Sequence, residues 1–161
     1  MAAIDHDTFG RNETPLERCD RNLAELMQEV RVVQTGVQVL FAFLLTLPFS
    51  ARFGEVTDFQ TVVYFATLLI TAAAAVLLIA PTSWHRLLFR RGDKEHLVQV
   101  ANRCALAGLA CVAISMVGVV LLVSDVLFGS AAMVIAGTGA GAACATAWFV
   151  LPALRRRQLG P

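Results

Sequence analysis

The chain has 161 residues, of which 57% are hydrophobic, and its mean hydropathy is +0.67. Soluble domains contain about 45–50% apolar residues by a similar count. The excess is concentrated in four long runs, which favours a membrane protein over a soluble one. The formal net charge is only +1, so total charge gives no indication of a nucleic-acid partner.

The first predicted element is a long helix that follows a polar tail. Residues 1–13 are predicted to be a disordered tail. Thr14, Pro15 and Glu17 form a helix-start signal, in which threonine and glutamate make a capping box and proline takes the first helical position. The helix is predicted to continue to Pro48. At ~1.5 Å per residue it spans roughly 50 Å, longer than a bilayer core of ~30 Å, so it should begin in water and end in lipid.

One side of this helix carries an apolar stripe that begins before the helix enters the membrane. Leu16, Leu23, Val30 and Val37 recur every seven residues, which is typical of a helix that packs against another helix. The stripe predicts that the cytoplasmic part of the helix engages a partner or a second copy of the chain.

The four apolar runs predict an all-α integral membrane fold, with four transmembrane helices in a bundle and long cytoplasmic extensions on helices 1 and 3. Pro81 and Pro152 are predicted to end the second and fourth spans, because proline cannot continue the backbone hydrogen bonding of a helix. A short separate helix is predicted at 84–91, in the loop between spans two and three. The predicted spans are about 32–49, 61–80, 104–123 and 131–151, within one domain at 14–155 that is followed by a tail at 156–161.

The basic residues predict the orientation. Of 13 lysines and arginines, 12 lie in the N-terminal segment, the middle loop and the C-terminal segment, and Arg52 alone lies in an external loop. Cytoplasmic loops carry the excess of Lys and Arg, so both termini are predicted to be cytoplasmic. Arginine also far outnumbers lysine, which is typical of GC-rich bacterial genomes and points to a bacterial plasma membrane.

Polar residues near the start of the first span are the main candidates for function. Polar groups inside a membrane are rare and are often functional. One interpretation is a polar vestibule for an ion or a headgroup. The other is that the arginine reaches the phosphates and the glutamines hydrogen-bond to a neighbouring helix. The candidate face comprises Glu29, Arg31, Gln34, Thr35 and Gln38.

Asp125 is a carboxylate close to the external end of the third span. It is either an ion-relay residue, which would have to be buried, or an interfacial residue within a predicted turn at 124–130. The second interpretation is favoured.

Two further groups of residues are candidates for packing and for lipid contact. Glycines at the span interfaces permit close helix packing; they are Gly36, Gly108, Gly137 and Gly141. An aromatic and basic group in the middle loop could contact anionic lipid, although topology explains it equally; this group is Trp84, His85, Arg86, Arg90 and Arg91.

No catalytic motif is found in the sequence. It contains no nucleophile elbow, H-E-x-x-H motif or phosphate-binding loop. The four cysteines form no C-x-x-C pair and no histidine cluster accompanies them, so neither a metal nor a cofactor is expected. The sequence therefore predicts a protein that is not an enzyme.

Two blocks of sequence resemble a known family. The first block, from Glu13 to Phe49, reads E-T-P-L-E-R-C-D-R-N-L-A-E-L-M-Q-E-V-R-V-V-Q-T-G-V-Q-V-L-F-A-F-L-L-T-L-P-F, and the second, from Leu77 to Arg90, reads L-L-I-A-P-T-S-W-H-R-L-L-F-R. They are similar to the two signature blocks of an actinobacterial family. Its members are small four-helix membrane proteins that carry a domain-of-unknown-function label. The resemblance implies this topology and no established activity, although members are sometimes named sodium:proton antiporters.

Two functions follow as hypotheses. The first is a non-enzymatic interaction or scaffold protein in the lipid bilayer, which acts through its cytoplasmic amphipathic helix on a second copy or on a membrane partner protein. The alternative is a small oligomeric cation or proton transporter of the antiporter type. Ion exchange normally needs a buried carboxylate, and the centres of the four predicted spans contain none.

Overall fold

The computed structural model describes residues 14–51, 53–87 and 94–158. In these ranges the regular structure is helical, without strands. Four helical stretches, at 20–49, 58–84, 97–128 and 130–158, are long and apolar enough to cross a membrane. This confirms the predicted all-helical chain with four apolar helices. The helices are α1 (Pro15–Thr46), α2 (Asp58–Leu87), α3 (Lys94–Phe128), α4 (Ser130–Ala145) and α5 (Leu151–Gln158).

The N-terminus of α1 confirms the predicted capping box. The Thr14 side chain accepts the backbone N–H of Glu17, and the Glu17 carboxylate accepts from the backbone N–H of Thr14 at 2.8 Å. The Thr14 hydroxyl donates to the same carboxylate oxygen. These hydrogen bonds stabilise the charged form and hold the pKa of Glu17 below its ordinary value of 4.5. The cap therefore fixes where α1 begins.

The apolar stripe of α1 lies inside the molecule from Leu23 to Val37, and the side chain of Leu16 lies outside the described part of the chain. Leu23 packs in a buried cluster with Leu97 and Ala101 of α3. Val30 and Val37 pack in a second buried cluster, whose other members are Ala74, Leu78, Ala105 and Val112. The structure therefore corrects the prediction that this stripe is available to a partner, because the extension of α3 covers it.

Helix α2 continues through Pro81, where the second span was predicted to end, and residues 84–87 of the predicted separate helix belong to α2; residues 88–91 lie outside the described part of the chain. Pro81 lies inside α2, which runs to Leu87. A proline removes one backbone donor and crowds the carbonyl four residues earlier, here that of Leu77. Membrane helices tolerate such prolines, and Gln34 of α1 donates to the carbonyl of Leu78 in the same turn.

The connection between α3 and α4 is a single residue, Gly129. Its φ of +82° lies in a region that side chains disfavour and glycine adopts freely. Its N–H donates to the Asp125 carbonyl at 3.0 Å, and its own carbonyl accepts the N–H of Met133. The predicted turn at 124–130 is therefore wrong in extent, and Asp125 lies within the last turn of α3.

The helix of the fourth span also passes through its proline. A π-helical turn at Thr146–Val150 precedes α5, which contains Pro152 and ends at Gln158. The N–H of Leu151 donates to the carbonyl of Thr146, five residues back. Such wide turns absorb a local interruption of helical hydrogen bonding. The helix therefore does not end at Pro152, where the fourth span was predicted to end, and Arg155, Arg156 and Arg157 lie in the last turn of α5.

The described helices do not form a closed four-helix bundle. Helices α1, α2 and α3 contact one another pairwise, whereas among these helices α4 contacts α3 alone. The molecule is thus a three-helix core with α4 packed against its central helix. We call the end formed by residues 47–51, 53–57 and Gly129 the loop end, since both helix hairpins turn there.

Candidate functional site

The polar face predicted on α1 divides between two surfaces. The side chain of Gln34 is half-buried and turns toward α2. The side chains of Arg31, Thr35 and Gln38 are exposed, and so is that of Glu29. The five residues therefore do not line one common chamber.

Gln34 joins α1 to the proline turn of α2. Its side-chain N–H donates to the backbone carbonyl of Leu78 at 2.8 Å. This carbonyl lies next to that of Leu77, which has lost its helical donor to Pro81. A glutamine hydrogen bond between helices is one of the two interpretations that the sequence allowed for this polar face. The hydrogen bond therefore ties α1 to the turn of α2 that contains Pro81.

The outward side of α1 carries a second regular stripe, which we call the outward seam. Its residues are all exposed and are separated alternately by four and three positions, so they lie along one side of the helix. They are small or polar, in contrast to the apolar residues that face the core. The outward seam consists of Ala24, Gln28, Arg31, Thr35, Gln38 and Ala42.

Within the outward seam, the polar groups differ in whether the helix itself satisfies them. The Thr35 hydroxyl donates to the carbonyl of Arg31 at 3.1 Å. The amide of Gln38 makes no hydrogen bond within the described part of the chain. Gln38 lies seven residues beyond Arg31, about 10 Å along the helix axis, and eight residues before the end of α1 at Thr46. It is therefore a polar group that lies inside the predicted first span, six residues from its start at about residue 32.

At the loop end, Asp125 bonds to α2. Its carboxylate accepts a hydrogen bond of 2.8 Å from the side-chain N–H of Gln60. The carbonyl oxygen of the same Gln60 amide accepts the backbone N–H of Thr57 at 3.0 Å, and the Thr57 hydroxyl accepts the N–H of Gln60. Gln60 is thus both a cap of α2 and the bridge to α3. The half-buried carboxylate of Asp125 is held by this bridge.

A cavity of about 240 Å³ lies beside this bridge, between α1, α2 and α3. Apolar side chains form most of its wall, and Ser50, Gln60 and Tyr64 also line it. The Tyr64 hydroxyl donates to the carbonyl of Leu44 at 2.9 Å, and its ring meets that of Phe53 edge to face. The ring contact and the hydrogen bond fix the wall where α1, the loop and α2 meet.

The four glycines proposed for packing occupy different surroundings. A methyl group on Gly108 would lie 2.8 Å from the side chain of Leu78, and one on Gly137 would collide with Leu121. Gly141 has room for ordinary contact with Val117, and Gly36 faces open space. Close packing at Gly108 joins α3 to α2, and close packing at Gly137 joins α4 to α3.

The aromatic and basic group is described only in part. Trp84 and Arg86 lie in the last part of α2, where both are exposed. Arg90 and Arg91 lie outside the described residues, as does the side chain of His85.

Sequence reasoning missed three parts of this arrangement. The first part is the outward seam. Its 4–3 spacing can be read from the sequence, but the apolar stripe on the other side of the helix is the stronger pattern. The motif T-D-F-Q at 57–60 fits the capping-box pattern and would have placed the start of α2 correctly. The Gln60–Asp125 bridge joins residues 65 positions apart, and no local signal predicts it.

Comparisons with curated proteins and with solved structures give no match to the chain. A family model of unknown function, DUF6328, matches residues 12–152, which include α1 to α4 and the π-helical turn. The chain therefore belongs to the DUF6328 family.

Proposed function

We propose that the chain is a non-enzymatic, multi-pass plasma-membrane protein that associates with a second copy of itself through the outward seam. Four helices of suitable length and apolarity support insertion into a membrane. The distribution of arginines supports cytoplasmic termini. The proposed interaction does not involve the apolar stripe of α1, because residues of α2 and α3 pack against it.

The observation that carries the proposal is the exposed amide of Gln38. A polar group without a partner in hydrocarbon costs several kcal/mol, and Gln38 has none within the described part of the chain. The helix backbone cannot satisfy a long glutamine side chain as it satisfies Thr35. A second helix placed against the outward seam would supply the missing hydrogen bonds.

A second copy suits this face better than an unrelated helix does. Two copies inserted in the same orientation are related by a two-fold axis along the membrane normal, so each outward seam meets itself. A glutamine amide carries both donors and acceptors, and Gln38 can therefore pair with Gln38 of the other copy. Ala24 and Ala42 are small, which permits close approach, and the 4–3 spacing is that of left-handed helix pairs. The paired Arg31 side chains lie toward the headgroups, where water and salt screen their repulsion.

The proposal is tested by measuring the dissociation constant of the dimer in liposomes. Donor- and acceptor-labelled copies are mixed over a range of protein-to-lipid ratios, and energy transfer is recorded. Glutamine hydrogen bonds between membrane helices contribute about 0.6–2 kcal/mol, so Gln38→Leu should weaken association by about 3- to 30-fold. Thr138→Val is the control, because Thr138 is exposed on α4 and its hydroxyl donates to its own helix, at the Val134 carbonyl.

Two results would remove the proposal. The first is energy transfer no greater than that of randomly distributed monomers at every ratio. The second is equal weakening by Gln38→Leu and Thr138→Val. If the chain is monomeric and a different membrane protein crosslinks to position 38, the outward seam serves that partner instead.

Cation or proton transport remains the alternative. It receives less support from the geometry, because the Gln34 amide is engaged by the Leu78 carbonyl and the cavity at the loop end is mostly apolar. Flux in proteoliposomes under imposed Na⁺ and pH gradients separates the two functions. Protein-dependent flux that is abolished by Asp125→Asn would favour transport.

A further inference from the structure

The cavity at the loop end has the shape and lining of a site for a hydrocarbon chain. Aromatic and aliphatic side chains from three helices and the loop form its wall, among them Phe43, Leu47, Phe53, Leu122 and Val126. Its volume of about 240 Å³ exceeds the roughly 150 Å³ of an apolar cavity that binds benzene. It therefore accommodates the end part of one extended chain.

Asp125 lies next to the wall of the cavity through its contact with Gln60. Gln60 lines the wall, and its amide donates to Asp125, while Leu122 and Val126, which precede and follow Asp125 on α3, line the same cavity. One carboxylate oxygen accepts from Gln60. Within the described part of the chain, the other oxygen has no hydrogen-bond donor. A ligand with an apolar tail and a donating head would satisfy both the wall and this oxygen.

The position of Asp125 on its helix favours a cationic head. Asp125 lies in the last turn of α3, which ends at Phe128. A helix C-terminus carries partial negative charge, so a carboxylate there is unfavourable and a cation is favourable. The neutral amide of Gln60 does not offset this charge, whereas an ammonium group would do so.

We infer that the cavity between α1, α2 and α3 binds an acyl chain of a bilayer phospholipid whose primary ammonium head donates hydrogen bonds to Asp125. A primary ammonium carries three N–H donors, whereas a choline head carries the same charge without any. The site therefore distinguishes phosphatidylethanolamine from phosphatidylcholine. The position of the cavity at the ends of the apolar helices places the head at the membrane boundary and the chain inside.

Retained lipid is counted by native mass spectrometry of the protein released from nanodiscs. The nanodiscs contain equal amounts of phosphatidylethanolamine and phosphatidylcholine that differ in acyl mass. We expect the wild-type protein to retain one phosphatidylethanolamine in preference to phosphatidylcholine. A parallel sample with added dodecylamine separates a bilayer lipid from a free amphiphile of the same chemistry.

Two phenylalanine substitutions on α3 form a matched pair. Val123 lines the cavity and is 45% exposed, and Ile114 lies elsewhere on the helix and is 54% exposed. Val123→Phe should reduce retention by about tenfold or more, because the added ring occupies the space for the chain. Ile114→Phe should leave it unchanged. Val119→Phe, which fills the same cavity from another position, gives an independent check should Val123→Phe fail to fold.

A separate variant tests the proposed contact between the ammonium head of the lipid and Asp125. Asp125→Asn should retain a lipid but lose the preference for phosphatidylethanolamine, since the charge is removed while the cavity stays. Equal retention of both lipids by the wild-type protein would overturn the head assignment. Equal loss in Val123→Phe and Ile114→Phe, or retention of dodecylamine alone, would overturn the assignment of the cavity to a phospholipid chain.

Discussion

The contact between Gly108 of α3 and Leu78 of α2 makes a quantitative test of how the core is packed. A methyl group on Gly108 would lie 2.8 Å from two atoms of the Leu78 side chain, which is itself completely buried. Overpacking of this kind costs about 1–3 kcal/mol. Replacing glycine by alanine within a helix gains about 0.5–1 kcal/mol from backbone entropy. Gly108→Ala should therefore be neutral to about 2.5 kcal/mol destabilising.

The matched control is Gly139→Ala on α4. Gly139 also lies inside a helix, but a methyl group there meets nothing within 4 Å. The two variants share the gain in helix propensity, so their difference in unfolding free energy, about 1–3 kcal/mol, isolates the steric contact. Unfolding in detergent mixtures of increasing SDS content, followed by the fluorescence of Trp84 and Trp148, measures this difference. Equal stability of the two variants would refute the close packing of α2 on α3.

A double variant tests whether Leu78 is the residue responsible. Leu78→Ala alone should destabilise the protein by about 2–5 kcal/mol, because it leaves a buried cavity. In the Leu78→Ala background the clash is gone, so Gly108→Ala should be neutral or stabilising. If Gly108→Ala is as harmful in that background as in the wild-type chain, the clash involves other atoms.

Three further predictions concern hydrogen bonds. Gln34→Leu should destabilise the monomer by about 0.6–1.7 kcal/mol in the same unfolding assay, because it removes the hydrogen-bond donor to Leu78. Gln38→Leu should leave the stability of the monomer unchanged. Equal effects of the two variants would contradict the different roles assigned to Gln34 and Gln38. Because the pKa of Glu17 is lowered in the folded chain, its stabilising contribution is complete above pH 4.5 and is lost as the pH falls through the lowered value. The protection factor for hydrogen exchange at the first turn of α1, which removes the intrinsic pH dependence of exchange, should therefore fall in acid in the wild-type protein but not in Glu17→Gln, which keeps the cap without the titration. Thr14→Ala should accelerate that exchange at every pH, and unchanged rates would contradict the capping role.

The start of α1 and the presence of four apolar helices were predictable because their signals are local. A capping box involves residues three positions apart, and an apolar run of span length needs no tertiary information. The path of α2 through Pro81 was not predictable in the same way. Proline normally ends a helix. The hydrogen bond that joins this turn to α1 links Gln34 to Leu78, and these two residues are 44 positions apart in the sequence.

In the candidate site, too, some features follow from local sequence patterns and others depend on residues far apart in the sequence. The exposure of Arg31 and Gln38 follows from the helical period once the buried side of α1 is known. The buried side itself depends on which helix covers the apolar stripe, and the sequence pattern of the stripe is the same for an internal partner as for an external one. The extension of α3 provides the internal partner through Leu97 and Ala101. The pairing of Gln60 with Asp125 likewise needs the three-dimensional arrangement of α2 and α3.

Disulfide crosslinking in native membranes tests whether the outward seam is an interface between two copies. A single cysteine is placed at Ala42 of the outward seam, which leaves Gln38 intact, or at Phe65 as a control, in a chain whose four native cysteines are replaced by alanine. Phe65 is 55% exposed on α2 and lies seven residues after Asp58, where the second apolar stretch begins, just as Ala42 lies seven residues before Phe49, where the first one ends. We predict rapid formation of a covalent dimer at position 42 and little at position 65. Equal crosslinking at the two positions, or none at position 42 under oxidising conditions, would contradict this interface.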